Sequence, residues 1–122
     1  MGADLYVYDK YMKMHKLYEK YYKTKDEKYL KMAEEMFAEM VRNNEYFRDS
    51  YTPCNLMSNL GLSYLWLLEF VEDEGHISPE NCRKILEVVE ERKAWGYIEE
   101  KRKRFIEFLK KCIDGGGMYA SI

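Results

Sequence analysis

The two prolines of this chain constrain its fold more than any other feature. Pro53 and Pro79 are the only ones in the sequence, and both lie where a helix can begin. Proline is tolerated in the first turn of a helix but breaks a helix interior, so every other segment is free to be helical. Apolar residues recur at intervals of three and four through most of the chain, which is the period of an amphipathic helix. These features predict a mainly all-α fold.

Capping residues divide the chain into about five helices. The first runs from about Asp9 to Lys23, and the second follows a capping box at residues 24–27 and stops at Asn43-Asn44. The fourth begins at Ser78-Pro79 and breaks near residues 94–96, and the fifth ends at the glycines 115–117.

The third predicted helix, from Pro53 to Glu74, is the most apolar one. It carries apolar residues in nearly every direction, which is typical of a helix that others surround. We therefore expect residues 53–74 to form the central helix of a single helical domain over residues 1–122. Four of its side chains should be nearly inaccessible to solvent: Leu60, Leu65, Leu68 and Val71.

The two ends of the chain differ from the helical pattern. Residues 5–8 and 118–122 are rich in residues that favour strands, although each segment alone would be marginal. We expect either a minimal two-stranded pairing of the chain ends or a frayed C-terminal segment.

The composition indicates a globular protein. Hydrophobic residues make up 47% of the chain and charged residues 34%. No apolar run is long enough to span a bilayer, and the first ten residues lack the apolar region of a signal peptide. We expect a soluble cytoplasmic protein with no membrane partner. The odd number of widely spaced cysteines predicts core thiols in a reducing compartment.

The charges are unevenly distributed along the chain. Residues 32–91 carry a net charge of −9, whereas residues 1–31 carry +3 and residues 92–122 carry +4. Either the protein has separate surfaces for partners, or the solvated faces of its helices attract one another. We favour the second interpretation.

The segment from Tyr46 to Asn55 is the most unusual part of the sequence. Aromatic residues alternate there with an Arg, an Asp and hydroxyl groups. Such a loop could bind a small polar ligand, with Arg48 holding a phosphate or carboxylate. The alternative, which we favour, is a structural loop in which Arg48 pairs with Asp4 or Asp49. The candidate ligand- or partner-binding residues are Asp4, Tyr46, Arg48, Asp49, Tyr51, Asn55 and Asn59.

Three patches of the sequence resemble a group of bacteriophage proteins. Residues 1–6 (MGADLY), 46–51 (YFRDSY) and 59–64 (NLGLSY) are similar to short open reading frames of bacteriophages and prophages for which no activity is known. The resemblance implies a phage accessory protein. By analogy with other such genes, it also implies an inhibitor of a host system, with anti-defence functions such as anti-CRISPR activity among the candidates.

The first helix interleaves lysines with tyrosines, a combination that can hold single-stranded nucleic acid. The basic run at residues 101–104 could extend such a surface. However, the protein is acidic overall, with a pI near 5.8, whereas nucleic-acid-binding domains are usually basic. Tyrosine also serves protein interfaces well, so we favour a protein partner over nucleic acid.

The sequence offers little support for catalysis. It contains two histidines, of which His15 lies on an apolar helix face and is expected in the core, while His76 follows the helix-ending Gly75. No Cys or His pair has metal-ligand spacing, and no glycine loop suits a phosphate. We assign no catalytic residue, no metal and no cofactor, and an enzyme is the less favoured class.

We therefore hypothesise a non-enzymatic interaction protein of the phage or prophage type. It would bind and inhibit a macromolecule in the host cytoplasm through its acidic middle or its tyrosine-rich first helix. The sequence is also compatible with a homo-oligomer. The alternative hypothesis is a small-ligand or nucleotide-binding protein, or an enzyme. Its site would be formed by Asp4, Arg48, Asp49, Asn55 and Asn59.

Overall fold

A computed structural model describes residues 2–122 of the chain. These residues form six helices and a four-stranded antiparallel sheet, so the expected all-α fold is wrong and the domain mixes helices with a sheet. The strands are β1 (Gly2–Val7), β2 (Tyr46–Ser50), β3 (His76–Ile77) and β4 (Met118–Ser121). The helices are α1 (Tyr8–Thr24), α2 (Glu27–Arg42), α3 (Leu56–Asn59), α4 (Tyr64–Leu68), α5 (Pro79–Glu91) and α6 (Tyr97–Asp114).

The strand order in the sheet is β2-β1-β4-β3. The pairing of the chain ends is confirmed, because β1 and β4 are antiparallel neighbours with Tyr6 opposite Tyr119. The other side of β1 pairs with β2, which places Asp4 opposite Arg48. Residues 46–50 were expected to be a loop. Their side chains instead alternate between the core and the opposite face, which is the period of a strand. The strand has only five residues, so its alternation is hard to recognise in the sequence beside long helices.

The two faces of the sheet have different coverings. One face packs against α5 and α6, and the main core lies between them. This face is formed by alternate residues of the strands, which are buried: Ala3, Leu5, Val7, Phe47, Asp49, Met118 and Ala120. The hairpin of α1 and α2 covers part of the opposite face and has its own small core around Met14, Ala33 and Met40.

The expected central helix at residues 53–74 is wrong. The chain forms only the short helices α3 and α4 there, and Gly61 lies between them with a left-handed φ of +71°. Leu60 is only 3% exposed, but Leu65 is 76% exposed and Leu68 is 40% exposed. A turn at Gly61 gives the two halves different orientations, so apolar residues that would encircle one straight helix do not share one environment.

The deeply buried helix is α6 instead. Phe105, Phe108, Leu109 and Cys112 have no exposed surface, and α5 packs alongside them. Cys82 of α5 is also buried, as expected for core thiols, whereas Cys54 is exposed.

Outside the third predicted helix, the predicted helix ends are largely confirmed. Ser78 caps α5 by accepting a hydrogen bond from the Asn81 amide at 3.2 Å, and Asn44 has a left-handed φ of 54° just after α2. The N-cap of α2 differs, because Asp26 and not Thr24 accepts from the backbone of the first turn. No helix within residues 2–122 combines the length and apolarity that crossing a bilayer requires.

Candidate functional site

Three of the seven candidate residues meet on the face of the sheet opposite the main core. The Arg48 guanidinium donates to Oδ1 of Asp4 at 2.6 Å, and the Tyr46 hydroxyl donates to the same oxygen. The hydrogen bond with Asp4 raises the pKa of Arg48, and burial followed by the same carboxylate raises the pKa of Tyr46 to about 12. The Arg48 side chain is 50% exposed, so Arg48 is paired and accessible at once.

Asp49 has a structural role in the main core. It has no exposed surface, and the hydroxyl of Tyr64 and the ammonium of Lys101 each donate to its carboxylate at 2.6 Å. The amides of Leu56 and Met57 donate to the same carboxylate at 3.1 and 3.4 Å, so Asp49 also caps α3. Burial raises the pKa of Tyr64, and the hydrogen bond to Asp49 adds to that shift. The internal donors leave this carboxylate no outward-facing role.

The remaining candidates also support the chain locally. Asn55 accepts a hydrogen bond from the Ser58 amide at 2.8 Å and donates to the Ser50 carbonyl at 2.6 Å. Asn59 donates to the carbonyl of Asn55 at 2.9 Å. Tyr51 is exposed, and its ring lies edge-on to Tyr64. The structural interpretation of this segment therefore describes Asp49, Asn55 and Asn59, whereas Asp4, Tyr46 and Arg48 form a separate surface.

Most of the basic run at residues 101–104 is occupied by internal partners. Besides the contact of Lys101 with Asp49, Arg102 binds Glu99 at 3.0 Å and the Val89 carbonyl at 3.2 Å. Lys103 lies 3.6 Å from Glu100, and Arg104 alone faces the surface described below. Lys101 and Arg102 are therefore engaged within the fold, whereas Lys103 and Arg104 are exposed.

The expectation for His15 is wrong, and His76 lies at the start of a strand. His15, expected in the core, is exposed and lies 3.1 Å from the carboxylate of Glu19. His76 belongs to β3, where its Nε2 lies 2.9 Å from the carbonyl of Gly116.

Strand β2 is an edge of the sheet, and part of its backbone is unpaired. The Val7 amide donates to the Glu45 carbonyl at 2.9 Å, and this fixes the odd-numbered residues of β2 as those that bond to β1. The N–H and C=O groups of Tyr46 and Arg48 therefore point away from the sheet. In the part of the chain that the structure describes, no protein group bonds to these four.

Both ends of this free edge are closed by side chains. The side-chain amide of Asn44 donates to the backbone carbonyl of Arg104 at 2.9 Å and joins the end of α2 to α6. At the other end, Asn55 satisfies the Ser50 carbonyl. The open portion is thus short, which is one way that proteins limit uncontrolled pairing at an edge strand.

A groove of about 460 Å³ lies along this open portion. Its walls are the end of α2 and the middle of α6, and its floor is β2. We call it the basic groove, and its lining residues are Val41, Arg42, Asn44, Tyr46, Phe47, Arg48 and Arg104. Within residues 2–122, neither Arg42 nor Arg104 forms an ion pair, so the groove carries two uncompensated guanidinium groups and a third that is paired with Asp4.

Sequence reasoning identified Tyr46 and Arg48 but missed the rest of the basic groove. Arg42 and Arg104 are separated by half of the chain, and only the fold of α2 and α6 around β2 brings them together. Arg104 did lie in the basic run, but nothing in that run distinguished it from its internally paired neighbours.

Comparison with protein-family models, curated proteins and solved structures finds no match to this chain. The residues of the basic groove themselves indicate what it can bind. Unpaired strand donors and acceptors bind an extended backbone, and planar guanidinium groups bind carboxylates with two hydrogen bonds. The basic groove combines both features within one short stretch.

Proposed function

We propose that this protein is a non-enzymatic interaction protein whose basic groove receives an extended, acidic segment of a partner protein. The segment adds to the sheet beside β2 and pairs with the outward backbone groups of Tyr46 and Arg48. Its carboxylates bind Arg42 and Arg104. The observation that carries the proposal is the open edge of β2 between two guanidinium groups that form no ion pair within residues 2–122.

The surface differs from those expected from the sequence. It is neither the acidic middle of the chain nor the tyrosine-rich face of α1, where Tyr11 and Tyr18 are partly buried against the hairpin core. Arginine suits this role better than lysine, since its planar group pairs with carboxylates in two places and is more weakly hydrated.

The resemblance to phage open reading frames favours a host protein as the source of the acidic segment, and inhibition as the consequence of binding. Capture from a bacterial lysate tests this part of the proposal when two baits are compared. The two baits are the variants Lys103→Glu and Arg104→Glu of this protein. A host protein that is captured by the first variant and not by the second supports the proposal. A bacterial lysate that yields no such protein contradicts a host partner.

Strand addition is tested with a synthetic peptide of alternating valine and glutamate and with ¹⁵N-labelled protein. We expect the amides of Tyr46 and Arg48 to shift in the NMR spectrum and to become protected from hydrogen exchange, because the peptide supplies their missing partners. The Phe47 amide, which already bonds to β1, should keep its protection. A peptide with lysine in place of glutamate should not bind.

Two charge reversals on α6 provide the matched comparison. Arg104→Glu should weaken peptide binding at least about tenfold, or ~1.4 kcal/mol. Lys103→Glu makes the same change of net charge one residue away, on an exposed side chain outside the basic groove, and should change the affinity less than about twofold. Equal effects of the two variants, or shifts confined to another surface, would refute strand addition at β2.

A further inference from the structure

A second concave surface lies over the opposite edge of the sheet, where β4 meets β3. It is a cleft of about 280 Å³ between α1 and the turn that precedes β3. We call it the aromatic cleft, and its lining residues are Tyr8, Tyr11, Met12, His15, Asp73, Glu74, His76 and Tyr119. None of them belongs to the basic groove.

Two pairs of packed rings form the walls of the aromatic cleft. The rings of Tyr11 and Tyr119 are stacked, parallel within 8° and with centroids 3.8 Å apart. The centroids of Tyr8 and His76 also lie 3.8 Å apart, but these rings are tilted by 31°. The bond from His76 to the Gly116 carbonyl holds that pair against the sheet. Such packing fixes the aromatic surfaces before any ligand arrives, which lowers the entropic cost of binding.

Glycines allow the rings to approach the turn and the strands this closely. Gly75 has a φ of +82°, and a Cβ on it would lie 2.9 Å from the ring of Tyr119. Gly117 has a φ of +105°, and a Cβ there would lie 3.0 Å from Nε2 of His76. A larger residue at either position would therefore push the Tyr119 or His76 ring away from the backbone.

The charged groups in the aromatic cleft are carboxylates. Asp73 and Glu74 are exposed at its rim, and within residues 2–122 neither forms an ion pair or a side-chain hydrogen bond. No lysine or arginine is among the lining residues. An electron-rich aromatic surface beside unpaired carboxylates attracts positive charge and disfavours anions.

We propose that the aromatic cleft binds an organic ammonium cation. Tyr8, Tyr11 and Tyr119 provide the aromatic surface, and Asp73 and Glu74 provide the negative charge. The volume is just below the range of pockets for drug-sized molecules, roughly 300–1,000 Å³, so it suits a single ammonium head group rather than a nucleotide. The head group belongs either to a free small molecule or to a lysine-derived side chain of another protein.

The chemical class is tested with choline and its neutral carbon isostere, 3,3-dimethylbutan-1-ol. Calorimetry under the same buffer conditions measures both affinities. Choline should bind at least about tenfold more tightly than the alcohol, because only the cation gains from the ring faces and the carboxylates. Equal affinities, or no binding of choline, would overturn the proposal.

The site is tested with two double variants that remove the same charge. Asp73→Asn with Glu74→Gln should weaken choline binding at least about tenfold, whereas Glu87→Gln with Glu90→Gln, on the exposed side of α5, should leave it unchanged. Circular dichroism checks that both variants stay folded. If the α5 variant loses as much affinity, the effect is one of net charge and the assignment to the aromatic cleft is wrong.

A third comparison identifies the source of the head group. A peptide that carries trimethyllysine and an unmodified lysine peptide are titrated beside choline. Binding of either peptide more tightly than choline supports the cleft and assigns it to a protein-borne cation, whereas tighter binding of choline supports the cleft and assigns it to a free molecule. The two proposals fail separately, since neither choline nor these peptides engage the edge of β2.

Discussion

Replacing Asp49 by alanine tests how the main core positions β2. The substitution removes the carboxylate that lies between Tyr64 and Lys101, and it also removes the acceptor for the first amides of α3. Since Asp49 has no exposed surface, water cannot replace these hydrogen bonds without opening the core. The buried polar groups that remain lose their partner.

The expected loss is a large part of the total stability. Removing the buried member of this ion pair, which is also the acceptor for the Tyr64 hydroxyl and two amides, costs about 3–5 kcal/mol, against a typical stability of roughly 5–15 kcal/mol for a domain. An unfolding entropy of about 2.1 cal/mol/K per residue gives ~0.26 kcal/mol/K for this chain. We therefore expect Asp49→Ala to lower the Tm by about 12–20 °C.

Calorimetry and urea unfolding measure this loss directly. Glu100→Ala is the control, because it breaks an exposed ion pair with Lys103 and should cost less than about 0.5 kcal/mol. Replacing both members of the buried pair, as Asp49→Leu with Lys101→Met, should recover part of the lost stability, because no unpaired charge is left. A loss below about 1 kcal/mol for Asp49→Ala would show that the carboxylate network contributes little, and that the reasoning is wrong.

Three further predictions concern other parts of the chain. Leu67→Ala should cost about 2–5 kcal/mol and Leu65→Ala less than about 0.5 kcal/mol in urea unfolding, because only the first side chain is buried; equal costs would contradict the break at Gly61. The raised pKa of Tyr46, about 12 against an ordinary 10.0, means that its contribution to stability is complete below pH 10 and is lost as the pH rises through about 12. Alkaline absorbance titration should therefore show one late-ionising phenol fewer in Tyr46→Phe, and an unchanged titration would refute the assignment. Cys54 should react with a thiol reagent in the folded protein, while the two buried cysteines should react only after unfolding. Reaction of all three cysteines at one rate would count against the packing of α5 and α6.

Local signals predicted the four long helices, but they did not predict the break in the third predicted helix or the four-stranded sheet. The spacing of apolar residues and the cap at Ser78 were sufficient for α1, α2, α5 and α6, because a helix depends on contacts between residues three and four positions apart. The sheet depends on pairing between distant segments, such as Asp4 with Arg48 and with Ser121. A strand of five residues such as β2 has too few alternations to be distinguished from a loop.

The candidate site was predicted in part for the same reason. Asp4 was expected as a partner of Arg48, and the structure confirms this ion pair. Asp49 was expected beside the same arginine, but adjacent residues of a strand point to opposite faces, so Asp49 lies in the core. If residues 46–50 had been assigned as a strand, the sequence alone would have placed Arg48 and Asp49 on opposite faces of the sheet.

The position of β1 in the sheet has a consequence for how the protein folds during synthesis. This strand is made first, yet one of its neighbours, β4, follows more than a hundred residues later, with Asp4 paired to Ser121. At about 5–20 residues per second, β1 therefore waits several seconds beside the ribosome with an unsatisfied side. The hairpin of α1 and α2 forms from local contacts well before that and carries the tyrosine-rich surface that packs on Tyr6. We infer that this hairpin covers one face of the nascent strand while its edge is still unpaired, and that weakening the hairpin would first be seen as aggregation of the newly made chain rather than as a lower melting temperature.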